Sequence, residues 1–557
     1  MMDFKSIISG LGAALGLGAS LCLGASPAEA QELRPTSQFA PPVNAAPPAG
    51  DQSGILRLQP AKADHFEIQK NLFGLRRSEL DLDQIPALEI GLVQDGARMI
   101  PVTRGPIRGD HVHWEWVVQP GVIWQTASGQ MRLSLPVALA ERNANCVHNG
   151  LLTMALGKDA GAVGEIEADF QIASETCAYL NLDMTARLDA RFERGMIMDA
   201  ETLRAADRAE RAARLPTRPI SELSFSDQLA SASEVKPETI TGFGVVLDGT
   251  HYVSDCPTRA GPYPFCDELV LPSYSWAKSI FAGIAAMRME QLYPGTRNSS
   301  IATYVGGCED DWADVTINDT LNMMSGHYND RRHEVDEGGE LMRRFFLVET
   351  HPDKIILACR GFGRRSDPGK RFVYRTADTY ITGTALTAVL RTQRQSVDAD
   401  LQRDVLDPIW SRLMLSPLIS KTRRTYDESA IPFAGWGLYL TRSDLVRITQ
   451  FLQTGGVIDG EQMLDQTMLQ QALQRGAAPY GLQAASADQR YRNGFWAWNA
   501  GPNLGCNADQ WIPLMSGYGG LTAALLPSGD LYYYVSDGFA FRSANAIGAI
   551  HQVNPQC

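Results

Sequence analysis

The stretch Leu269-Val-Leu-Pro-Ser-Tyr-Ser-Trp-Ala-Lys-Ser-Ile-Phe-Ala-Gly-Ile-Ala-Ala-Met-Arg-Met-Glu-Gln-Leu292 decides the fold of the larger part of the chain. It opens with Pro272 and Ser273, two residues suited to the first positions of a helix. Apolar side chains then recur with few charges between them. The pattern predicts a largely buried helix.

The same stretch places a serine and a lysine, Ser275 and Lys278, three residues apart. At this spacing the hydroxyl and the amine lie on one helical face, with their Cβ atoms about 5–6 Å apart. The serine would lie near the positive end of the helix dipole, and burial would lower the pKa of the amine. A lysine buried there is costly unless it has a partner or a function. The pair therefore indicates an activated serine nucleophile.

A second Ser-x-x-Lys, Ser233-Glu-Val-Lys236, occurs upstream. Short motifs of this kind arise by chance, so the surrounding sequence has to decide between the two copies. Pro237 directly follows the upstream copy, and no periodic apolar face accompanies it. This context predicts a solvated connection, and the copy at Ser275 is the candidate for chemistry.

The N-terminus predicts export. Residues 1–30 contain Lys5, an apolar run from Ile7 to Leu23 and the small-residue sequence Ala28-Glu-Ala30, which is typical of a secretory signal peptide cut before Gln31. The alternative is a membrane anchor, but the run is glycine-rich and short for a spanning helix. We therefore expect a secreted or periplasmic protein without a stable membrane anchor.

The cysteines predict disulfide bonds. Removal of the signal peptide leaves an even number of cysteines, which in an exported chain favours disulfides. Cys146–Cys177 and Cys256–Cys266 are the simplest pairs, and the connectivity of the remaining four stays open: Cys308, Cys359, Cys506 and Cys557. Zinc is the alternative, but the chain has no Cys-x-x-Cys and no His-Glu-x-x-His, so neither a metal nor a cofactor is expected.

Length and charge limit the class of protein further. A chain of 557 residues is long enough for two or more domains, and a net charge of −13 argues against nucleic acid or an anionic membrane as a partner. The oligomeric state is left open. Changes in composition divide the chain into five segments: a signal peptide at 1–30, a Pro/Ala-rich linker at 31–59, a β-rich accessory domain at 60–200, a charged connector at 201–236 and a second domain at 237–557.

The second domain has predicted strands at both of its ends and a helical middle. One hairpin is expected around the Asp248-Gly249 turn, and another in Leu521–Ser536 with its turn at Ser528-Gly529-Asp530. This order predicts an α+β fold, in which the two ends of the domain close one antiparallel sheet.

Five ordered segments of this domain resemble one known superfamily. They are Ser275-Trp-Ala-Lys-Ser279, Asp314-Val-Thr-Ile-Asn-Asp-Thr-Leu-Asn-Met-Met-Ser-Gly326, Arg371-Phe-Val-Tyr-Arg-Thr-Ala-Asp-Thr-Tyr-Ile-Thr-Gly383, Asp407-Pro-Ile-Trp410 together with Gly435-Trp-Gly-Leu-Tyr-Leu-Thr-Arg-Ser-Asp-Leu-Val-Arg447, and Ser516-Gly-Tyr-Gly-Gly520. Together they resemble the serine β-lactamase/penicillin-binding-like superfamily, in particular class C-like esterases and 6-aminohexanoate-dimer hydrolases. The resemblance covers roughly residues 240–557. It implies a β-lactamase/transpeptidase-like fold, with an antiparallel sheet flanked by helices and a helical subdomain.

The resemblance also implies roles for particular residues. Ser275 would be the nucleophile, with Lys278 and Tyr374 as general acid and base, and which of these two is the base stays open. The backbone N–H groups of Ser275 and Leu521 would form the oxyanion hole. Tyr518, Gly519 and Gly520 would contact the substrate, which is expected to be a small-molecule ester or amide.

Two departures from the superfamily pattern bear on the substrate. The third motif has Tyr518-Gly519-Gly520 in place of Lys-Thr-Gly, and the second has Tyr-Arg-Thr in place of Tyr-x-Asn. The missing lysine would anchor the carboxylate of a β-lactam or peptide, so an esterase or amidase is favoured. The alternatives are a D-amino-acid peptidase, transpeptidase or β-lactamase activity, and a non-catalytic binding protein that kept the fold.

Overall fold

The computed structural model describes residues 33–157, 164–173, 176–231, 233–476 and 479–557. The predicted signal peptide lies outside the described residues. None of the helices within these ranges combines the length and the apolar character that a bilayer crossing requires.

A sheet of ten strands dominates the N-terminal third. Its members pair in the order β1-β5-β6-β8-β9-β10-β11-β12-β3, β7 pairs with β9, and a small separate pair joins β2 to β4. Because β1 also pairs with β12, eight of the strands close the sheet on itself. The strands are β1 (Gly54–Leu58), β2 (Ala61–Lys62), β3 (His65–Asn71), β4 (Gln84–Ile85), β5 (Leu88–Asp95), β6 (Arg98–Pro101), β7 (Trp114–Val118), β8 (Gly121–Gln125), β9 (Met131–Glu141), β10 (Val147–Leu156), β11 (Gly164–Ile172) and β12 (Leu180–Arg194).

The segment predicted as a linker differs from that prediction. Its last residues form β1, which lies between β5 and β12, and Phe39 is buried in the core. The backbone N–H of Arg34 donates to Gln171 Oε1, and Ala46 bridges to Gln125. Proline and alanine occur in packed segments as well as in free ones, so the composition alone did not distinguish the two.

The segment predicted as a charged connector begins with a packed helix, Ala200–Ala212. Asp207 and Glu210 of this helix are buried, and Arg98 of β6 and Arg104 of the loop after it pair with them. Glu268, just before the nucleophile segment, pairs with both arginines. The arginines satisfy carboxylates that would otherwise be costly to bury, so the charges of this helix face protein as well as solvent.

The second domain is built on a sheet of nine strands, in the order β13-β15-β14-β27-β26-β25-β24-β23-β22. Both predicted hairpins are present, as β14–β15 and β26–β27. Because β14 pairs with β27, the two ends of the domain close the sheet, which confirms the predicted α+β arrangement. Only the pairing of β13 with β15 is parallel in this sheet. Six further strands form three separate pairs, β16–β17, β18–β19 and β20–β21. The strands of both kinds are β13 (Thr217–Pro219), β14 (Ile240–Leu247), β15 (Thr250–Val253), β16 (Pro257–Thr258), β17 (Gly261–Pro262), β18 (Leu271–Pro272), β19 (Tyr439–Leu440), β20 (Val457–Ile458), β21 (Glu461–Gln462), β22 (Leu482–Gln483), β23 (Gln489–Arg492), β24 (Phe495–Asn499), β25 (Trp511–Gly517), β26 (Leu521–Leu525) and β27 (Leu531–Ser536).

Most helices lie between β18 and β22 and form the helical part of the domain. The α-helices are α1 (Arg77–Leu80), α2 (Ala200–Ala212), α3 (Ser226–Ala230), α4 (Ile284–Leu292), α5 (Ile301–Tyr304), α6 (Ile317–Leu321), α7 (Glu340–Leu347), α8 (His351–Arg360), α9 (Thr376–Arg394), α10 (Asp407–Arg412), α11 (Arg442–Gln453), α12 (Gln466–Ala472), α13 (Gly501–Leu504) and α14 (Ala544–Val553). Two π-helical segments are Lys278–Gly283 and Gln402–Leu406. Short 3-10 helices are Thr36–Phe39, Ile220–Glu222, Pro237–Thr239, Cys266–Glu268, Thr296–Asn298 and Asp310–Trp312.

The eight cysteines of the described chain form four disulfides. Cys146–Cys177 and Cys256–Cys266 are the two predicted pairs, and both are confirmed. The open positions pair as Cys308–Cys359 and Cys506–Cys557. Glu141 and His148 lie close to the sulfurs of the first disulfide, but a disulfide offers no thiolate to a metal ion.

Candidate active site

The nucleophile segment begins where β18 pairs with β19. Pro272 of β18 is opposite Tyr439, and the backbone of Tyr274 then takes the left-handed region, with φ of 39°. An aromatic residue rarely adopts this conformation, and such positions often lie at functional sites. The predicted helix follows at once, although its first part, Lys278–Gly283, is π-helical and becomes α-helical only at Ile284.

A residue of the N-terminal domain holds this segment in place. Asn145 Oδ1 accepts hydrogen bonds from the backbone N–H of Tyr274 at 2.6 Å and from the Ser273 hydroxyl at 3.1 Å. It also accepts from the backbone N–H of Gly437, while Asn145 Nδ2 donates to the Leu438 carbonyl. One buried side chain therefore ties the nucleophile segment to the strand beside it.

The predicted serine and lysine are in direct contact. Lys278 Nζ lies 2.8 Å from Ser275 Oγ. The lysine is 2% exposed, whereas Ser275 is partly open to solvent. Two further oxygen atoms surround the amine, Thr376 Oγ1 at 2.8 Å and the Gly435 carbonyl oxygen at 3.2 Å. The serine is thus reachable from outside, and the amine next to it is shielded.

Glu337 extends this chain of contacts and was not predicted. Its carboxylate accepts hydrogen bonds from both the backbone N–H and the hydroxyl of Thr376. The Thr376 hydroxyl has only one hydrogen, which it donates to Glu337, so its oxygen must accept from Lys278. Glu337 therefore fixes the direction in which the lysine amine can donate.

Burial changes the acidity of Lys278 and Glu337. It lowers the pKa of Lys278 to about 8, a shift that the negative charge of Glu337 partly offsets. Burial likewise raises the pKa of Glu337, opposed by the positive charge of Lys278 and by the hydrogen bonds from Thr376. A substantial fraction of the lysine is consequently neutral near physiological pH.

Tyr374 lies over the lysine. The ring centroid is 5.0 Å from Lys278 Nζ, and the ring stacks on Trp496 at 5.5 Å. Burial, followed by the charge of Glu337, raises the pKa of Tyr374 well above its usual value, and hydrogen bonding with the Ser275 hydroxyl only partly opposes this. The raised pKa keeps the Tyr374 phenol protonated near neutral pH.

The third motif lies at the end of β25. A Cβ atom at Gly517 would lie 3.0 Å from the Ser273 carbonyl oxygen, and Trp276 Nε1 donates to the Met515 carbonyl. These contacts place β25 against the nucleophile segment. Tyr518 directly follows this strand and is 40% exposed.

The two glycines after Tyr518 are required by close packing. Both have positive φ, 88° at Gly519 and 108° at Gly520. A Cβ atom at Gly519 would meet Ala178 of the N-terminal domain at 2.5 Å, and one at Gly520 would meet the Ala540 carbonyl oxygen at 2.8 Å. Leu521 is buried at the start of β26, where it pairs with Gly517.

Comparison with known proteins gives a partial structural likeness. No protein-family model matches the sequence, and no curated protein sequence matches it. A candidate 6-aminohexanoate-dimer hydrolase from Bacillus anthracis is similar at 17% identity and a TM-score of 0.42, over 57% of this chain and 80% of its own. A penicillin-binding protein homologue from Caulobacter crescentus is similar at 14% identity and a TM-score of 0.41, over 58% and 95%. EstCE1, described as a hydrolase with promiscuous acyltransferase activity, is similar at 14% identity and a TM-score of 0.43, over 63% and 100%.

Sequence reasoning brought together Ser275, Lys278 and Tyr374, and these residues do meet in the fold. It missed Glu337 and Asn145. Glu337 lies between two of the motifs, and Asn145 lies in the N-terminal part of the chain, which the family resemblance does not cover. Neither belongs to a pattern, and only the folded chain places them beside the nucleophile.

Proposed function

We propose that the protein is an exported serine hydrolase of the β-lactamase-like superfamily, which cleaves a carboxylic ester or amide through an acyl-enzyme on Ser275. The observation that carries the proposal is the buried Lys278 amine, 2.8 Å from a partly exposed serine hydroxyl. The predicted signal peptide and the four disulfides support export. The boundary between accessory and catalytic domains is proposed to lie near residue 237.

Lys278 acts as the general base. A neutral amine has two hydrogens and one lone pair, and Thr376 Oγ1 and the Gly435 carbonyl oxygen both accept. Donation to these two oxygens turns the lone pair toward Ser275 Oγ. The amine takes the hydroxyl proton as Oγ attacks the carbonyl carbon, and the carbonyl oxygen becomes the oxyanion of a tetrahedral intermediate.

Tyr374 acts as the acid. Its phenol stays protonated next to Ser275, so it can donate its proton to the leaving alcohol or amine as the bond to the carbonyl carbon breaks. The protonated Lys278 then restores the phenol proton. In the second half of the reaction a water attacks the carbonyl carbon of the acyl-enzyme and its proton passes to the neutral Lys278 amine. The bond from the carbonyl carbon to Ser275 Oγ then breaks, and the protonated amine returns that proton to Oγ.

The oxyanion is held by backbone N–H groups. The backbone N–H of Ser275 is one of the two donors, as the resemblance implies. For the second, Tyr518 is favoured over Leu521, because Tyr518 follows the strand that touches the nucleophile segment, whereas Leu521 is paired with Gly517 on the next strand. Tyr518 also contributes its ring to the substrate site.

The site favours esters over β-lactams. The position of the anion-binding lysine is occupied by Tyr518, and the negative charge of Glu334 is near enough to contribute to the raised pKa of that tyrosine. A substrate carboxylate would be disfavoured there.

A panel of p-nitrophenyl esters, linear amides, D-Ala peptides and nitrocefin tests the proposal. Short-chain esters should be hydrolysed far faster than nitrocefin, measured as kcat/KM. Efficient nitrocefin turnover with the esters untouched would contradict it, and no turnover of any member would favour a binding protein that kept the fold.

A further inference from the structure

The exposed aromatic side chains of the protein are concentrated beside the nucleophile. Within the described ranges, the aromatic side chains among the exposed large hydrophobic residues are Phe73, Tyr518, Phe539 and Phe541. Three of them belong to one run of touching rings. Monomeric proteins rarely group exposed apolar side chains in this way without a binding role.

The run of rings, termed here the aromatic ribbon, consists of Phe73, Tyr179, Tyr274, Tyr518 and Phe539. Phe73 lies 4.8 Å from Tyr179, which is 6.4 Å from Tyr518. Tyr518 is in turn 5.8 Å from Tyr274 and 5.0 Å from Phe539, measured between ring centroids. Tyr274 directly precedes Ser275 in the chain, and Gly517, next to Tyr518, packs on Ser273, so the ribbon runs from the nucleophile segment to Phe73 after β3.

The fold holds the ribbon rigidly. The backbone N–H of Ala178 donates to the Tyr274 hydroxyl, and the Tyr179 hydroxyl donates to the buried carboxylate of Glu141. The disulfide of Cys177 anchors the same loop. Two domains thus contribute to one surface whose buried members, Tyr179 and Tyr274, support the exposed ones.

A cation that packs on the ribbon is paired with a carboxylate. Lys70 Nζ lies 5.9 Å from the centre of the Phe539 ring, but it also forms a 2.7 Å ion pair with Asp537. Burial, and then the negative charge of Glu334, raise the pKa of Tyr518, so this ring also lies near a negative charge. Such a surface would recognise a neutral apolar group, best a ring that can pack against other rings.

We infer that the ribbon binds an apolar, ring-bearing acyl group of the substrate, so that the N-terminal domain takes part in substrate selection. This inference rests on the proposed hydrolase function. We assign the ribbon to the acyl side of the substrate because, in the proposed mechanism, the leaving group departs next to Tyr374. The rings that Tyr374 contacts include Trp496 and His333. Within the described residues, those contacts share no ring with the ribbon.

Two p-nitrophenyl alkylphosphonates test the inference. They differ only in the group on phosphorus, which is methyl in one and 4-phenylbutyl in the other, and that group takes the place of the acyl chain. Each reacts with Ser275 Oγ to form a phosphorus–oxygen bond and release p-nitrophenolate, which is followed by absorbance. The ratio of the two second-order rate constants, phenylbutyl over methyl, is the quantity compared between proteins.

In the wild-type protein the ratio should be well above one. Phe73→Ala and Phe539→Ala should each lower this ratio by about tenfold, because each removes a ring that would cover the apolar group. Only the rate constant of the phenylbutyl reagent should fall. Leu347→Ala is the control, since Leu347 is also an exposed apolar residue but lies at the end of α7, and its ratio should match wild type.

An unchanged ratio in both phenylalanine variants would overturn the inference, as would an equal loss with both reagents. If wild-type Ser275 reacts with neither reagent, the proposed function fails and the inference with it. The first two outcomes leave the reactive serine intact, so the two failures are distinguishable.

Discussion

The chain contains the same four-residue pattern twice, with opposite consequences. In Ser275-Trp-Ala-Lys278 the lysine is buried, touches the serine at 2.8 Å and has a pKa lowered to about 8. In Ser233-Glu-Val-Lys236 both end residues are exposed, and the Ser233 hydroxyl accepts a hydrogen bond from Asn545 Nδ2. The spacing is identical, so the spacing is not what makes a nucleophile.

The difference lies in what surrounds each lysine. Lys278 begins a helix packed into the core, and Thr376 and Gly435 supply oxygen atoms that fix its amine. Lys236 precedes a short 3-10 helix at the surface, where water can solvate its charge. Burial lowers the pKa of Lys278, and in the proposed mechanism the two fixed acceptors direct its lone pair, so the proposed chemistry depends on the fold around the motif.

The largest expected effect is loss of the nucleophile or its partners. Ser275→Ala, Lys278→Ala and Tyr374→Phe should each lower kcat by on the order of a thousandfold or more, with little change in KM. Because the three residues act as a unit, the double variants should lose little more than the single ones. Steady-state kinetics with a short-chain ester measures this. Losses that multiply in the double variants would show that the residues act independently.

The second effect is a pH dependence that only the buried copy can produce. Since catalysis needs Lys278 neutral, and its pKa is about 8, kcat/KM for an uncharged ester should rise with pH and level off above about 8. The sign follows from the base: protonation at lower pH removes the lone pair. A profile measured from about pH 6 to about pH 9.5 that is flat, or that falls, would contradict the assignment.

Glu337→Gln should have an intermediate effect. Glutamine keeps the size but loses the charge that holds the Thr376 hydroxyl, so kcat should fall about ten- to a hundredfold, as for a lost hydrogen bond to a charged group. Because Glu337 raises the pKa of Lys278, its removal should also move the rise of the pH profile to lower pH. Glu340→Gln, at an exposed carboxylate that starts α7, is the control and should change neither quantity. A loss of activity without the pH shift would indicate a purely structural role for Glu337.

The smallest effect is expected at the exposed copy. Ser233→Ala and Lys236→Ala should leave kcat/KM for the same ester within about twofold of wild type, as is usual for surface substitutions. The same kinetic assay used for the buried copy measures them. A large loss here would remove the distinction between the two copies.

The sequence alone predicted the features of the fold and the site that depend on local patterns. The apolar periodicity after Ser273, the two hairpins and the ordered motifs placed Ser275, Lys278 and Tyr374 on one sheet-and-helix domain. Two of the four disulfides could be paired by proximity in sequence, whereas Cys308–Cys359 and Cys506–Cys557 needed the fold.

The remainder depends on contacts between distant segments. Asn145 is more than a hundred residues from Tyr274, yet it accepts the hydrogen bond of that backbone. The 31–59 segment looked like a tether because proline and alanine dominate it, but one of its strands completes the closed sheet. Composition reports what a segment contains, and only its partners decide whether it is packed.

Covalent labelling tests the central claim most directly. The full-length mature protein is treated with a fluorophosphonate, digested and mapped by peptide mass spectrometry at several pH values. The account predicts one labelled serine, Ser275, with a labelling rate that rises through about pH 8, and no label on Ser233. Label on Ser233, or full hydrolytic activity in Ser275→Ala, would contradict it.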